Sequence, residues 1–213
     1  LSSAEYYNGS SVVYLHDGSV ADSSVGIAAN NVVSVLDGAG GSANVALAPL
    51  SSAVSSAGKL AVGSYELGAS GTVTVNGVNF SDTITIVGTH QVRTKGLVAS
   101  ASDVTKVYDG TRAMSGVTLN LSTLVAGDVV TVDGQGEFAD HHAGNGLTYT
   151  IANVALSGAD ASNYHLSGGT SFTGTNGVIS PKTVNLSASK TYDGTTDLNG
   201  YVTLTTGVGA ETL

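Results

Sequence analysis

One hexapeptide that occurs twice constrains the fold of this 213-residue chain more than any other feature. Lys106-Val-Tyr-Asp-Gly-Thr111 returns as Lys190-Thr-Tyr-Asp-Gly-Thr195, 84 residues further along, and each copy follows a Ser-Ala-Ser triplet. A weaker version, Tyr7-Asn-Gly-Ser10, lies near the first residue of the chain. Because recurrence at a fixed spacing is typical of repeated structural units, we predict modules that each restart at this hexapeptide.

The predicted modules cover residues 1–98, 99–182 and 183–213. The first module is diverged, and it carries extra residues between Leu47 and Tyr65 when it is compared with the second. The third is only the beginning of a module, and its 31 residues cannot enclose a hydrophobic core alone. It therefore continues beyond this sequence, packs on the second module or completes a sheet in another molecule.

Apolar and polar residues alternate along much of the chain, which indicates strands with one exposed face. The clearest stretches are residues 72–76, 83–86, 128–133, 147–151 and 201–205. Only Leu47–Leu60, which is rich in Ala and Ser, has a weakly helical pattern. Asn-Gly and Asp-Gly pairs separate the predicted strands, and their glycine suits the positive φ of tight hairpin turns. These pairs are Asn8-Gly9, Asp17-Gly18, Asp37-Gly38, Asn76-Gly77, Asp109-Gly110, Asp133-Gly134, Asn145-Gly146, Asn176-Gly177 and Asp193-Gly194.

Charged residues make up only 11% of the chain, against roughly 25% in an average soluble domain. The net charge is −9, and a chain with seven basic residues cannot neutralise a row of phosphates, which argues against nucleic acid as a partner. The same charge disfavours an anionic membrane surface, and no apolar stretch is long enough for membrane insertion. Many of the aspartates lie beside glycine, where shaping a turn is favoured over binding Ca²⁺.

The expected fold is all-β, with sandwich-like or β-grasp-like modules arranged end to end. Each module is expected to bury one sheet face and to expose a face of Thr, Ser and Asn. Few charges protect the edge strands, and unprotected edges pair readily with other strands. The edges or the third module are therefore expected to pair with neighbouring repeats of the same chain or with like chains.

Within the hexapeptide, each residue type has a structural role that we favour over sugar binding. The tyrosine ring is expected to be buried, with its hydroxyl bonded to the backbone. The aspartate is expected to cap the turn, and the glycine to take a positive φ. Because this motif lies at the start of each module, we expect it to fix the register of the strands that follow. The residues of this structural motif are Tyr108, Asp109, Gly110, Tyr192, Asp193 and Gly194.

The second module continues with Ala126-Gly-Asp-Val129, Gly136-Glu-Phe-Ala-Asp140, Leu156-Ser-Gly-Ala-Asp-Ala-Ser-Asn-Tyr164 and Ile179-Ser-Pro-Lys182. Together with the hexapeptide, and in this order, these segments resemble the YDG/MBG-type repeats of filamentous-haemagglutinin-like exoproteins of Gram-negative bacteria. The resemblance spans nearly all of the second module and the start of the third, but the first only faintly. The chain departs from the family at His141-His142, where Lys and Asn are more frequent, and at Asn8, which replaces Asp.

The resemblance implies a structural role rather than chemistry. Such repeats lie in tandem within very large adhesins, often exported by two-partner secretion, and serve as stalk or spacer modules in adhesion or biofilm cohesion. It implies no catalytic residues, no cofactor and a location outside the cell or at the surface of a Gram-negative bacterium. Neighbouring repeats, like chains and cell-surface or matrix polysaccharide are the expected partners.

Asp140-His141-His142 is the cluster most similar to a metal site, since imidazole and carboxylate suit Zn²⁺ or Cu²⁺. Adjacent histidines on a strand point to opposite faces, so both can bind one ion only in a loop, which Gly144 and Gly146 suggest. Because the motif offers no fourth ligand, an exposed polar turn is the favoured interpretation and no metal is predicted.

No motif predicts an enzyme, because the glutamates are isolated and Ser-His-Asp coincidences carry no weight in a Ser-rich chain. An isopeptide bond between Lys106, Lys182 or Lys190 and Asn153 or Asn185 stays an alternative, which the loss of one ammonia from the intact mass would reveal. Two further alternatives for function are a lectin-like polysaccharide-binding module and a filament subunit that assembles by strand exchange.

Overall fold

The computed structural model of the chain describes residues 2–6, 25–28, 32–80, 83, 85–86, 88–209 and 211. These residues form strands and loops with one short 3-10 turn, Ala161–Asn163, and they contain no α-helix. The all-β prediction is therefore confirmed. The Tyr7–Ser10 motif and the turn predicted at Asp17-Gly18 lie outside the described residues. Within the described part, no helix has the length and apolar character needed to cross a membrane.

The chain forms two compact units, and neither is one continuous stretch of sequence. The first comprises residues 1–98, 122–131 and 156–167, and the second comprises residues 99–121, 132–155 and 168–213. Two segments from the middle of the chain therefore belong to the first unit. The predicted division into three modules along the sequence stays a prediction.

The first unit contains a seven-stranded sheet in the order β1-β7-β5-β4-β3-β2, with β6 also paired to β4. Its strands are β1 (Ser2–Tyr6), β2 (Val25–Ala28), β3 (Val32–Leu36), β4 (Ser42–Pro49), β5 (Gly63–Ala69), β6 (Thr74–Asn76) and β7 (Thr89–Arg93). Alternate residues of β4, namely Ala43, Val45 and Leu47, are buried in the core, as the period of two requires. A short parallel pair, β8 (Lys95–Leu97) and β14 (Tyr164–Leu166), completes the unit.

The helix predicted over Leu47–Leu60 is wrong. Strand β4 continues to Pro49, and residues 50–62 form a loop that contains an isolated bridge between Val54 and Leu60. Residues 47–49 pair with β5 and the amide of Leu50 donates to the carbonyl of Glu66 at 2.8 Å, so the backbone groups of the first residues of this stretch bond between strands. The strand predicted over residues 83–86 is also absent at the described positions 83, 85 and 86.

The second unit is built on a four-stranded sheet in the order β10-β15-β13-β12, with two further strand pairs, β9–β11 and β16–β17. Phe138, Tyr149, Ile151 and Ile179 are buried in its core. The first residue of β12 and the last two of β13 belong to the first unit. The bounds are β9 (Ala99–Ser102), β10 (Thr105–Val107), β11 (Thr118–Leu121), β12 (Thr131–Phe138), β13 (Gly144–Ser157), β15 (Phe172–Ser180), β16 (Asn185–Ala188) and β17 (Val202–Thr205).

Five of the seven described Asx-Gly pairs have a glycine with positive φ, as predicted, whereas Asp133-Gly134 and Asn176-Gly177 lie inside strands β12 and β15. The turn prediction is wrong at these two pairs, where glycine permits close packing instead. A methyl group at Gly177 would lie 2.5 Å from Phe138 Cε1 and 2.9 Å from the carbonyl oxygen of Leu147.

In each unit, the first strand of the main sheet pairs in parallel with the last. Strand β1 pairs with β7 so that Tyr6 faces Arg93, and β10 pairs with β15 so that Val107 faces Ser180. Tyr6 and Val107 each stand one residue before the tyrosine of a Tyr-Asx-Gly triplet. Arg93 and Ser180 each stand two residues before a lysine. In both units, the parallel strand pair therefore aligns the same two sequence features, a Tyr-Asx-Gly triplet on one strand and a lysine that follows the other.

We expect replacement of Gly177 by Ala to destabilise the second unit by about 1–3 kcal/mol, because the new methyl group must displace the Phe138 ring and the backbone at Leu147. Urea unfolding followed by circular dichroism measures this change. Gly168→Ala is the matched control, since a methyl group there meets nothing within 4 Å. Equal stability of the two variants would contradict the packing role of Gly177.

Candidate functional site

The first hexapeptide folds into a ring of hydrogen bonds around the ammonium group of Lys106. Strand β10 carries this lysine, whose side chain is only 5% exposed. Its Nζ donates to the carbonyl oxygens of Thr111 and Ala113, both at 2.9 Å, and lies 2.6 Å from Oδ1 of Asp109. The lysine therefore closes the turn that follows β10.

Asp109 holds the other side of the ring. Its Oδ1 accepts hydrogen bonds from both the backbone amide and the hydroxyl of Thr111, each at 2.9 Å. Between them, Gly110 has a φ of 77°, a conformation that glycine adopts without strain. The hydrogen bond from Lys106, followed by those from Thr111, lowers the pKa of Asp109 to about 2.

The second hexapeptide has the same ring. Lys190 Nζ lies 2.8 Å from Asp193 Oδ1 and donates to the Thr195 hydroxyl at 2.8 Å and to the Asp197 carbonyl at 2.8 Å. Asp193 Oδ1 accepts from the amide and the hydroxyl of Thr195 at 2.9 Å each, and Gly194 has a φ of 78°. The expected aspartate cap and the positive φ of the glycine are thus found in both copies.

The two tyrosines differ from each other and from expectation. Tyr108 is half-buried, and its hydroxyl donates to Oε1 of Glu211 at 2.5 Å, which raises the pKa of Tyr108. The partner is a carboxylate rather than the backbone. Tyr192 is 93% exposed, so the prediction of a buried ring is wrong there. Tyr108 follows a strand paired with β15, whereas Tyr192 follows residues that belong to no strand.

A cleft of about 280 Å³ opens beside Tyr108 in the second unit. Glu211, Lys182, His142 and Thr206 supply polar groups beside the Tyr108 hydroxyl. Most of its surface is apolar, and it comes from residues such as Pro181, Val184 and Val208. Such a mixture, with a few polar groups on an apolar wall, suits a small organic or sugar-sized group.

Asp140, His141 and His142 lie in the loop that joins β12 to β13. Oδ1 of Asp140 is 2.6 Å from Nδ1 of His142 and 3.6 Å from Nδ1 of His141. The two imidazole rings stack with their centroids 4.2 Å apart. The hydrogen bonds of Asp140 to His142 lower the pKa of the Asp140 carboxyl group. The loop position on which the metal interpretation depended is therefore present.

A polar network in the first unit was missed by the sequence reasoning. Asp160 is 3% exposed, and its two carboxylate oxygens accept from the amides of Ser56 at 2.9 Å and Val129 at 2.7 Å. The hydrogen bond from Val129, and then those from Ser56, lower the pKa of Asp160. Asn163, 2% exposed, accepts from the amide of Val62 at 2.8 Å. The two side chains thus hold the loop of residues 53–62.

Tyr164 and Asp128 extend this network. The Tyr164 hydroxyl donates to Oδ2 of Asp128 at 2.6 Å and accepts from the amide of Val125 at 3.1 Å. Asp128 Oδ1 accepts from the amide of Ala57 at 3.3 Å. The signal in the sequence was the segment Leu156–Tyr164, in which an aspartate, an asparagine and a tyrosine lie within five residues of a largely uncharged chain.

Comparison with protein families finds a YDG domain at residues 93–171. The matched segment contains the first hexapeptide, the Asp140 loop and the buried pair Asp160 and Asn163. No curated protein and no solved structure matches the chain.

The charge of Asp109 is expected to stabilise the second unit in a pH-dependent manner. Its pKa is about 2 in the folded chain against an ordinary value of 3.8, so the stabilisation is present above about pH 4 and is lost as the pH falls towards 2. Asp109→Asn should lower the urea midpoint at pH 7, and the difference from wild type should shrink as the pH falls below 4 and vanish below about pH 2. Asp133→Asn, at an exposed position on β12, is the control. An unchanged midpoint in Asp109→Asn at pH 7 would contradict this role.

The network at Asp160 is expected to protect the loop of residues 53–62 from trypsin, which cleaves after Lys59. In Asp160→Asn, an amide group would face the donors of Ser56 and Val129. The loss of charge-assisted hydrogen bonds worth roughly 1.5–3 kcal/mol should accelerate cleavage after Lys59 about ten- to hundredfold. Mass spectrometry of the fragment that begins at Leu60 measures the rate, with Asp133→Asn as control. Equal rates in wild type and Asp160→Asn would show that this network does not hold the loop.

Proposed function

We propose that this chain is part of the stalk of a large secreted bacterial surface adhesin or extracellular filament, and that it serves adhesion or biofilm cohesion. The observation that carries the proposal is that the same lysine–aspartate–threonine hydrogen bonds occur at residues 106–111 and 190–195. Because the chain forms this ring twice from its own residues, we take each copy to mark the start of a module. The ring leaves the lysine and aspartate engaged with each other rather than with a ligand.

The strand register supports tandem modules. In both units the first strand runs parallel to the last, so the chain passes through the two strands in the same direction. Modules of this kind can follow one another along a chain and set a distance between a cell and its contact. The YDG domain at residues 93–171 agrees with the YDG-type repeat in the resemblance, which otherwise rests on the sequence motifs. That resemblance supports two-partner secretion and the surface of a Gram-negative bacterium.

The composition suits this role. Charged residues are 11% of the chain, and the net charge is −9. Exposed Thr, Ser and Asn keep such a surface hydrated, and a negative field opposes non-specific sticking to anionic cells and polymers. The proposal assigns the chain no catalytic reaction and no cofactor. Its partners are neighbouring repeats and like chains.

The test uses the purified 213-residue chain in an adhesion assay with the bacterium that produces it. Antibodies against the chain should label intact cells. An excess of the free chain should leave adhesion unchanged, because a spacer holds no receptor-binding site. Competitive inhibition by the free chain would overturn the spacer role, and labelling of permeabilised cells alone would overturn the surface location.

The cleft beside Tyr108 favours one alternative, a lectin-like module that binds polysaccharide. Tyr108 offers an aromatic face, while Lys182 and Glu211 offer polar groups for hydroxyls. A glycan array would show specific, saturable binding if this function is correct, and Glu211→Gln should weaken it.

Strands β16 and β17 favour a second alternative, a filament subunit that assembles by strand exchange. Every residue of this two-stranded pair is exposed, including Leu186 at 70%. Sedimentation velocity of the chain at high concentration distinguishes this function, because a strict monomer excludes it.

A further inference from the structure

We propose that Asp140, His141 and His142 together bind one divalent transition-metal ion of the Zn²⁺ class, in the loop between β12 and β13. The inference is independent of the stalk role, since it concerns three side chains that take no part in the hexapeptide rings. Two imidazoles and one carboxylate form a donor set suited to Zn²⁺, Cu²⁺ and Ni²⁺ rather than to Ca²⁺ or Mg²⁺.

The loop brings the three side chains to one place. Each offers one ligand atom, and these atoms all lie within 4.8 Å of one another. Ligand atoms bound to Zn²⁺ at about 2.1 Å in tetrahedral geometry lie about 3.4 Å apart. The side chains of Asp140, His141 and His142 are 59%, 42% and 72% exposed, so small rotations towards one ion meet little resistance.

The contact between Asp140 and His142 shows where the ion would sit. Oδ1 of Asp140 and Nδ1 of His142 are 2.6 Å apart, a distance that places a proton between them. An ion bound by both atoms takes the place of this hydrogen bond, the proton of Nδ1 moves to Nε2 or to water, and the gap between the two atoms widens.

The third ligand would be His141, whose imidazole lies against that of His142. The rings of His141 and His142 stack with their centroids 4.2 Å apart and their planes 29° apart. Because an imidazole nitrogen binds an ion in the plane of its ring, at least one of these exposed rings must rotate for both to share the ion. Three protein ligands leave at least one coordination position for water. The site should therefore bind more weakly than a four-ligand structural zinc site.

Isothermal titration of ZnCl₂ into the full 213-residue chain at pH 7.5 tests the inference. We expect one saturable site per chain that is reversed by a chelator. His142→Gln should weaken binding at least about tenfold, as should His141→Gln. His165→Gln is the matched control, since His165 is an exposed histidine whose Nδ1 contacts Thr94 in the first unit. It should bind Zn²⁺ as the wild type does.

Circular dichroism of each variant separates a lost ligand from a lost fold, and the exposure of the substituted side chains predicts unchanged spectra. The absence of saturable binding at 100 µM Zn²⁺, or wild-type affinity in His142→Gln, would overturn the proposal. An equal loss of affinity in His165→Gln would also overturn it, because the ion would then be bound elsewhere. Imidazole resonances of His141 and His142 that shift together on adding Zn²⁺ would support the shared site directly.

Discussion

The parallel pairing between the first and last strands of a sheet is the interaction on which the rest of each unit depends. Parallel neighbours cannot be joined by a tight turn, so the other strands of the sheet lie between the two in sequence. In the second unit the closure places Val107 opposite Ser180, and the hexapeptide turn begins immediately beyond it. The amide of Tyr108 then donates to the carbonyl of Ser180, which continues the pairing by one bond into the turn. The register of β10 against β15 and the hydrogen-bonded ring of the hexapeptide are therefore fixed at adjacent residues.

Several of the few charged side chains of this protein are bonded to other groups of the same chain. The Lys106 and Lys190 side chains are only 5% and 11% exposed, and each ammonium group is enclosed by oxygen atoms of its own turn. Asp160 is buried as well, yet two backbone amides satisfy its carboxylate. Buried charges tolerate removal from water only when they are paired in this way. A low count of charged residues is thus compatible with a specific polar framework.

The local features of the hexapeptide could be predicted because they arise within six residues. Asp109 bonds an amide two positions ahead and Gly110 needs a positive φ, and both follow from residue type and order. The environment of the tyrosine could not be predicted in the same way. The tyrosine ring is half-buried at position 108 and 93% exposed at position 192, although the neighbouring residues in the two hexapeptides are nearly the same. The difference comes from the strand that lies alongside, which is distant in sequence.

Alternation, Asx-Gly pairs and the recurring hexapeptide were sufficient to indicate an all-β chain with its turn at Asp109-Gly110, because periods and turn types depend on neighbouring residues. Long-range contacts were needed for the remainder. The pair Asn176-Gly177 is typical of a turn but lies within β15, where the Phe138 ring and the Leu147 carbonyl leave no room for a methyl group at Gly177. The sequence around Asp160 is typical of a loop, but the Asp160 carboxylate accepts hydrogen bonds from backbone amides 104 and 31 positions away. Such partners are selected by packing and backbone geometry, which no short window of the chain contains.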